Sequence, residues 1–106
     1  MTIASKNSQV REFYSSDKRG EGRQMQVTID ISMYPNREEF IPPIDGFIKK
    51  INTFDHLKVK TFPTSTVVQG EYQHAMGAVQ DTISACYNEF DMAVYVVKII
   101  PGYEAL

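Results

Sequence analysis

An α+β fold with the element order β-α-β-β-α-β is what this 106-residue sequence predicts. Three observations predict it. Short stretches alternate apolar and polar residues with period two, the signature of half-buried strands. Two longer stretches repeat apolar residues at three- and four-residue steps, the signature of amphipathic helices. Proline, asparagine and glycine fall between these stretches, where chain reversals are needed.

The first strand is "QVTIDISMY". Val27, Ile29, Ile31 and Met33 lie on one face, with Thr28, Asp30 and Ser32 on the other. Pro35 and Asn36 end it. A helix then starts near Pro42, since a first helical turn tolerates proline, and runs to about Asn52. Ile44, Phe47, Ile48 and Ile51 form its stripe, and Lys49 and Lys50 sit where the helix dipole favours cations. "HLKVKTF" is a second strand whose lysines suit a sheet edge. Pro63 marks a turn into "STVVQGE", the third strand, so the two form a hairpin. "YQHAMGAVQDTISACYNEF" is the second helix, with Met76, Val79, Ile83, Cys86, Tyr87 and Phe90 at helical spacing. "MAVYVVKII" is the last strand, closed by Pro101 and Gly102.

This order is the ferredoxin-like, split βαβ motif. Right-handed crossovers place both helices on one face of a four-stranded antiparallel sheet with strand order 4-1-3-2. Residues 1–24 stand apart as a polar segment without apolar period, read as a mobile tail; residues 25–106 make one domain. The last strand carries apolar residues on both faces yet lies at a sheet edge. Such a strand expects cover on both sides. A homo-oligomer, dimer or tetramer, assembled through the sheet is therefore expected.

Composition narrows the function. The net charge is −2, and no basic stripe accompanies it, which argues against nucleic acid. No apolar run is long enough to span a membrane, and "MTIASKNSQV" lacks a signal-peptide core. The single Cys86 forms no internal disulfide and fits a reducing, cytoplasmic setting. His56, His74 and Cys86 lack metal-ligand spacing, and no phosphate-binding glycine loop occurs, so neither metal nor cofactor is expected. No nucleophile-base pair is conspicuous either.

What remains is polar strand surface. Asp30 and Ser32 come from the first strand, and Thr64, Ser65 and Thr66 open the neighbouring third strand. Alternation puts Thr64 and Thr66 on one side and Ser65 on the other. Thr66 is expected beside Asp30 and Ser32. Two readings stand: a solvated face with cross-strand Thr–Ser pairs, or, beneath a second subunit, a pocket whose buried hydroxyls must find partners. Such a pocket, with Tyr34 and Tyr72 nearby, suits a small flat polar ring such as an aminopyrimidine, whose donors and acceptors hydroxyls match in either role.

The segments "ISMYP", "FIPPIDGFIKKI", "KTFPTSTVVQGE" and "AVYVVKI", in this order, resemble the YkoF-like thiamine-binding family over about residues 25–103. The shared pattern is S-x-Y-P at the end of the first strand and P-x-x-T-x-x-x-G-E in the hairpin. Pro42–Pro43 and the polar N-terminal segment depart from it. The resemblance implies a ferredoxin-like fold, assembly through the sheets, and non-enzymatic binding of thiamine or its hydroxymethyl-aminopyrimidine moiety, in uptake, salvage or buffering. It carries over Ser32, Tyr34, Thr66, Gly70 and Glu71; Asp30, Thr64 and Ser65 are added from strand geometry. Gly70 permits close backbone approach or simply turns the strand into the helix. For Glu71, capping of the second helix competes with contact to a cationic thiazolium. Two alternatives belong to other classes: a dimeric α+β barrel enzyme of monooxygenase or isomerase type, which would rest on Asp30 or His56, and a small-molecule-sensing regulatory module.

Overall fold

The computed structural model describes residues 25–106, and the expectation for residues 1–24 lies outside the described residues. Its elements are β1 (Gln26–Pro35), α1 (Ile41–Ile51), β2 (Lys58–Thr61), β3 (Thr66–Glu71), α2 (Tyr72–Phe90) and β4 (Ala93–Pro101). The sheet has the order β2-β3-β1-β4, with the pairings β2–β3, β3–β1 and β1–β4 all antiparallel. This is the ferredoxin-like arrangement that the element order predicts.

Strand β1 is central because its period-two apolar set is the most complete. Val27, Ile29 and Ile31 are buried against Phe47 and Ile51 of α1, Val68 of β3, and α2. Helix α1 starts one residue before Pro42. Phe40 caps it without a side-chain hydrogen bond, and the two prolines fill the first turn, where amide hydrogens have no helical acceptor. Its end is closed by Asn52, whose Nδ2 donates to the Ile48 carbonyl over 2.7 Å.

Helix α2 spans the predicted residues but buries a different line of them. Ala75, Ala78, Val79, Thr82 and Cys86 face the sheet, while Tyr87, expected on the stripe, is exposed. Small side chains let the helix sit close to the strands. Thr82 satisfies its buried hydroxyl within the helix, donating to the Ala78 carbonyl over 2.7 Å. Gly70 has a packing reason of the same kind. A Cβ there would lie 2.6 Å from Leu57 Cδ2 and 3.3 Å from the His56 carbonyl, so close approach, not a plain turn, explains the glycine.

The helices leave β4 largely bare. Val94 and Val96 on the face away from the helices are more than half exposed, and Val97 and Ile99 on the helix face are 37% and 44% exposed. On the far face the C-terminal segment folds back over β1 and β3. Thr28 Oγ1 donates to the Tyr103 carbonyl (2.6 Å) and accepts from the Ala105 amide (3.1 Å). Gln69 Oε1 accepts from the Leu106 amide (2.6 Å). Thr28 and Gln69, both polar and both buried, owe their partners to this segment.

Candidate functional site

The register of β1 against β3 decides which polar residues share a face. Directly opposed residues of an antiparallel pair point to the same side. Ile31 opposes Thr66, and Asp30 opposes Val67. Ile31 belongs to the buried apolar set, so Thr66 lies on the helix face with it. Asp30 and Ser32 lie on the other face. The expectation that Thr66 stands beside Asp30 and Ser32 is therefore corrected: the sheet itself separates them.

On the helix face, Thr66 opens into a groove of about 260 Å3 between α1 and the β2–β3 hairpin. Ile31 and Met33 of β1 form its floor. Ile44, Phe47 and Ile48 of α1 form one wall; Ile44 and Ile48 are only half-buried, because this part of the helix stripe faces the groove. Thr61, Phe62, Pro63, Thr64, Ser65 and Thr66 form the other wall. The hairpin is held shut at its base, where the Phe62 amide donates to the Ser65 carbonyl over 2.7 Å. Thr61 and Thr66 oppose each other across it, with their hydroxyls 3.4 Å apart. That separation is long for an O–H···O bond, so each hydroxyl keeps capacity for another partner. All eleven lining residues are apolar or hydroxyl-bearing.

Of the sequence-derived candidates, Thr64, Ser65 and Thr66 line this groove. Alternation alone would set Ser65 opposite its neighbours, but the tight hairpin brings all three to the rim. Ser32 reaches the hairpin from behind, donating to the Thr64 carbonyl over 3.1 Å, so it braces the groove without lining it. Tyr34 opposes Val94 on the far face and is 58% exposed. Asp30 is on that face too. One of its carboxylate oxygens lies 3.8 Å from Lys98 Nζ, and the other is buried without a hydrogen-bond partner. Glu71 caps α2, its carboxylate accepting from the amides of Gln73 (3.0 Å) and His74 (3.1 Å). It stands at the opposite end of β3 from Thr66.

Sequence reasoning missed Met33, Ile44 and Ile48 as lining, since apolar residues at helix and strand spacing read as core. It missed Thr61 because a threonine on an edge strand carries no signal of its own. The pairing partner Thr66 would have pointed to it once the hairpin register was known.

His56 adopts a left-handed backbone (φ 62°) ahead of β2, away from the groove. The His74 ring nitrogen Nε2 lies 2.7 Å from the Asp55 carbonyl oxygen, and the two histidine rings meet edge-on at 6.5 Å. Among the described residues no three His, Cys, Asp or Glu side chains gather as metal ligands, and no helix is long and apolar enough to cross a membrane. Cys86 is buried against Tyr95 of β4. Burial pushes the thiol up, and burial together with the neighbouring thiol pushes the Tyr95 phenol up to about 12. Both are packing groups held in their neutral forms.

No family model and no curated protein sequence matches the chain. Solved structures do. A "putative thiamine biosynthesis/salvage protein" from Thermotoga maritima is 27% identical, with a TM-score of 0.65 over 76% of this chain and 85% of its own. A hypothetical protein from Methanocaldococcus jannascii is 25% identical, with a TM-score of 0.63 over 71% of this chain and 78% of its own. A protein from Streptococcus pneumoniae, 23% identical with a TM-score of 0.66 over 71% of this chain and 84% of its own, shows the shared fold.

Proposed function

We propose that this chain is a binding protein for thiamine or its hydroxymethyl-aminopyrimidine moiety, holding the pyrimidine ring in the groove. It acts by binding rather than by catalysis, in uptake, salvage or buffering. The observation that carries this reading is the pair of hydroxyls of Thr61 and Thr66, 3.4 Å apart, set between apolar walls. An aminopyrimidine edge presents a donor next to an acceptor, and two adjacent hydroxyls answer both. Its faces suit the side chains of Met33, Phe47 and Ile48. The size agrees: 260 Å3 falls just under the range of about 300–1,000 Å3 for drug-sized ligands, as expected for a single ring. The YkoF-like pattern in the hairpin supports the reading, and so does the similarity to the Thermotoga protein. The barrel-enzyme alternative would rest on Asp30 or His56, and neither lines the groove.

The test is calorimetric titration with thiamine and with the free pyrimidine. Binding is expected, and Thr66→Val, which removes one hydroxyl at nearly constant shape, should weaken it by roughly two- to tenfold, the worth of one hydrogen bond. No heat of binding with either compound would refute the proposal.

The same reading makes the protein a homo-oligomer through the sheet. Val94, Val96, Val97 and Ile99 expose apolar surface on both faces of edge strand β4. A second copy of the chain supplies the cover that such an edge requires.

A further inference from the structure

A second cleft, of about 380 Å3, lies towards the opposite end of β3 from Thr66. Lys58 lines it from β2, Glu104 from the C-terminal segment, and Gln26, Gln69 and Gly70 from the sheet. The register fixes its face. Gln69 opposes Lys58 on one side and Thr28 on the other, so all three point away from the helices. Glu104 comes to the same face with the segment that meets Thr28 and Gln69. The cleft therefore carries a lysine and a carboxylate, both exposed. Among the described residues the one ion pair joins Lys98 to Asp30, so Lys58 and Glu104 share the cleft without neutralising each other. Gln69 adds a donor. It is buried, and its Oε1 is taken by the Leu106 amide at 2.6 Å. Its Nε2 donates only to Glu104 Oε1, over 3.4 Å, which is long for such a bond, so the amide keeps donor capacity.

A purely anionic ligand in this cleft would meet the like charge of Glu104, and a purely cationic one that of Lys58. A ligand with both charges a few bonds apart answers both. We infer that the cleft binds a small zwitterion, a free α-amino acid. Its carboxylate lies on Lys58 and the Gln69 amide, and its ammonium lies on Glu104, each through charge-assisted hydrogen bonds. The volume falls within the range of about 300–1,000 Å3 for small-molecule pockets, which leaves room for a side chain. This site is separate from the groove. The groove lies on the helix face, and the two share no lining residue. It also lies beside edge strand β2, across the sheet from the exposed strand β4.

The experiment is a titration of the isotopically labelled full chain with alanine, serine and glutamine at low salt, followed by amide chemical shifts. Saturable shifts are expected at Lys58, Gln69, Gly70 and Glu104. The tightest-binding amino acid is then compared with its amide, which keeps only the positive charge, and its N-acetyl derivative, which keeps only the negative one. Each should bind about two- to fivefold more weakly, the worth of one exposed ion pair. Lys58→Gln should remove the preference over the amide, and Glu104→Gln the preference over the N-acetyl derivative. Lys60→Gln, which removes a cation of the same strand face outside the cleft, should leave both preferences intact. No saturable shift with any of the three amino acids at tens of millimolar would overturn the inference. So would derivatives that bind as tightly as the amino acid, or preferences that survive both substitutions. Each of these results leaves the groove reading standing.

Discussion

Glu71 offers a sharp test, because two roles for it make opposite predictions. As a cap, its carboxylate accepts from two amides of the first turn of α2, at 3.0 and 3.1 Å. As a ligand contact, it would have to reach the groove. Glu71 lies five residue steps beyond Thr66 along β3, about 17 Å at the rise of a β-strand, so the carboxylate does not meet a ring bound at Thr66. Glu71→Ala removes the cap. Loss of an N-cap costs roughly 0.5–2 kcal/mol, and the negative charge at the dipole's positive end falls within that range. For a domain of this size each kcal/mol lowers Tm by about 4–8 °C, so a fall of roughly 2–16 °C is expected. Glu71→Asp, another good capping residue, should recover most of it. Affinity for the pyrimidine should be unchanged in both variants. The assay is thermal unfolding followed by circular dichroism, beside a ligand titration of the same samples. An unaltered Tm with weakened binding would refute the capping account and bring Glu71 back to the site.

Other expectations follow from the fold. Val96→Glu places a charge on the bare face of β4 and should shift the assembly towards monomer in sedimentation velocity; a wild-type chain that already sediments as a monomer at micromolar concentration would refute assembly through the sheet. The Tyr95 phenol, raised from 10.0 to about 12, keeps its proton in the folded state where the unfolded chain has lost it. Folding stability therefore falls as pH rises from about 10 to 12, and Tyr95→Phe should flatten that slope in denaturant titrations across the interval, leaving the share due to Cys86. Gly70→Val drives a side chain into Leu57 and should destabilise by about 1–3 kcal/mol, read from the urea midpoint.

Local pattern was enough for the architecture. Val27, Ile29 and Ile31 alternate strictly and are buried together, and the second helix spans the predicted Tyr72–Phe90, although the line it buries differs from the expected stripe. The capping role of Glu71 was legible as well, because it depends only on a carboxylate at the start of a helix. The candidate groove was legible in part. The hydroxyl run Thr64–Thr66 does line the groove, but its surroundings depend on how β3 registers against β1, and a shift of one residue exchanges the two faces of the sheet. That register is a property of two segments 35 residues apart, Ile31 and Thr66, and neither segment alone contains it. The fate of Thr28 was hidden for a similar reason. Its hydroxyl reads as one more polar group on an open face, yet Tyr103 and Ala105 fold back to meet it. The strand β2 is shorter than its alternating pattern suggests, since the left-handed backbone at His56 delays its start to Lys58.

Chemical-shift mapping distinguishes binding in the groove from binding on the far face of the sheet. The isotopically labelled chain is titrated with the hydroxymethyl-aminopyrimidine, and amide and methyl signals are followed. Saturable shifts are expected at Ile31, Met33, Ile44, Ile48, Thr61 and Thr66, with Thr28, Asp30, Gln69 and Lys98 on the far face undisturbed. Shifts confined to the far face, or none at millimolar ligand, would contradict it.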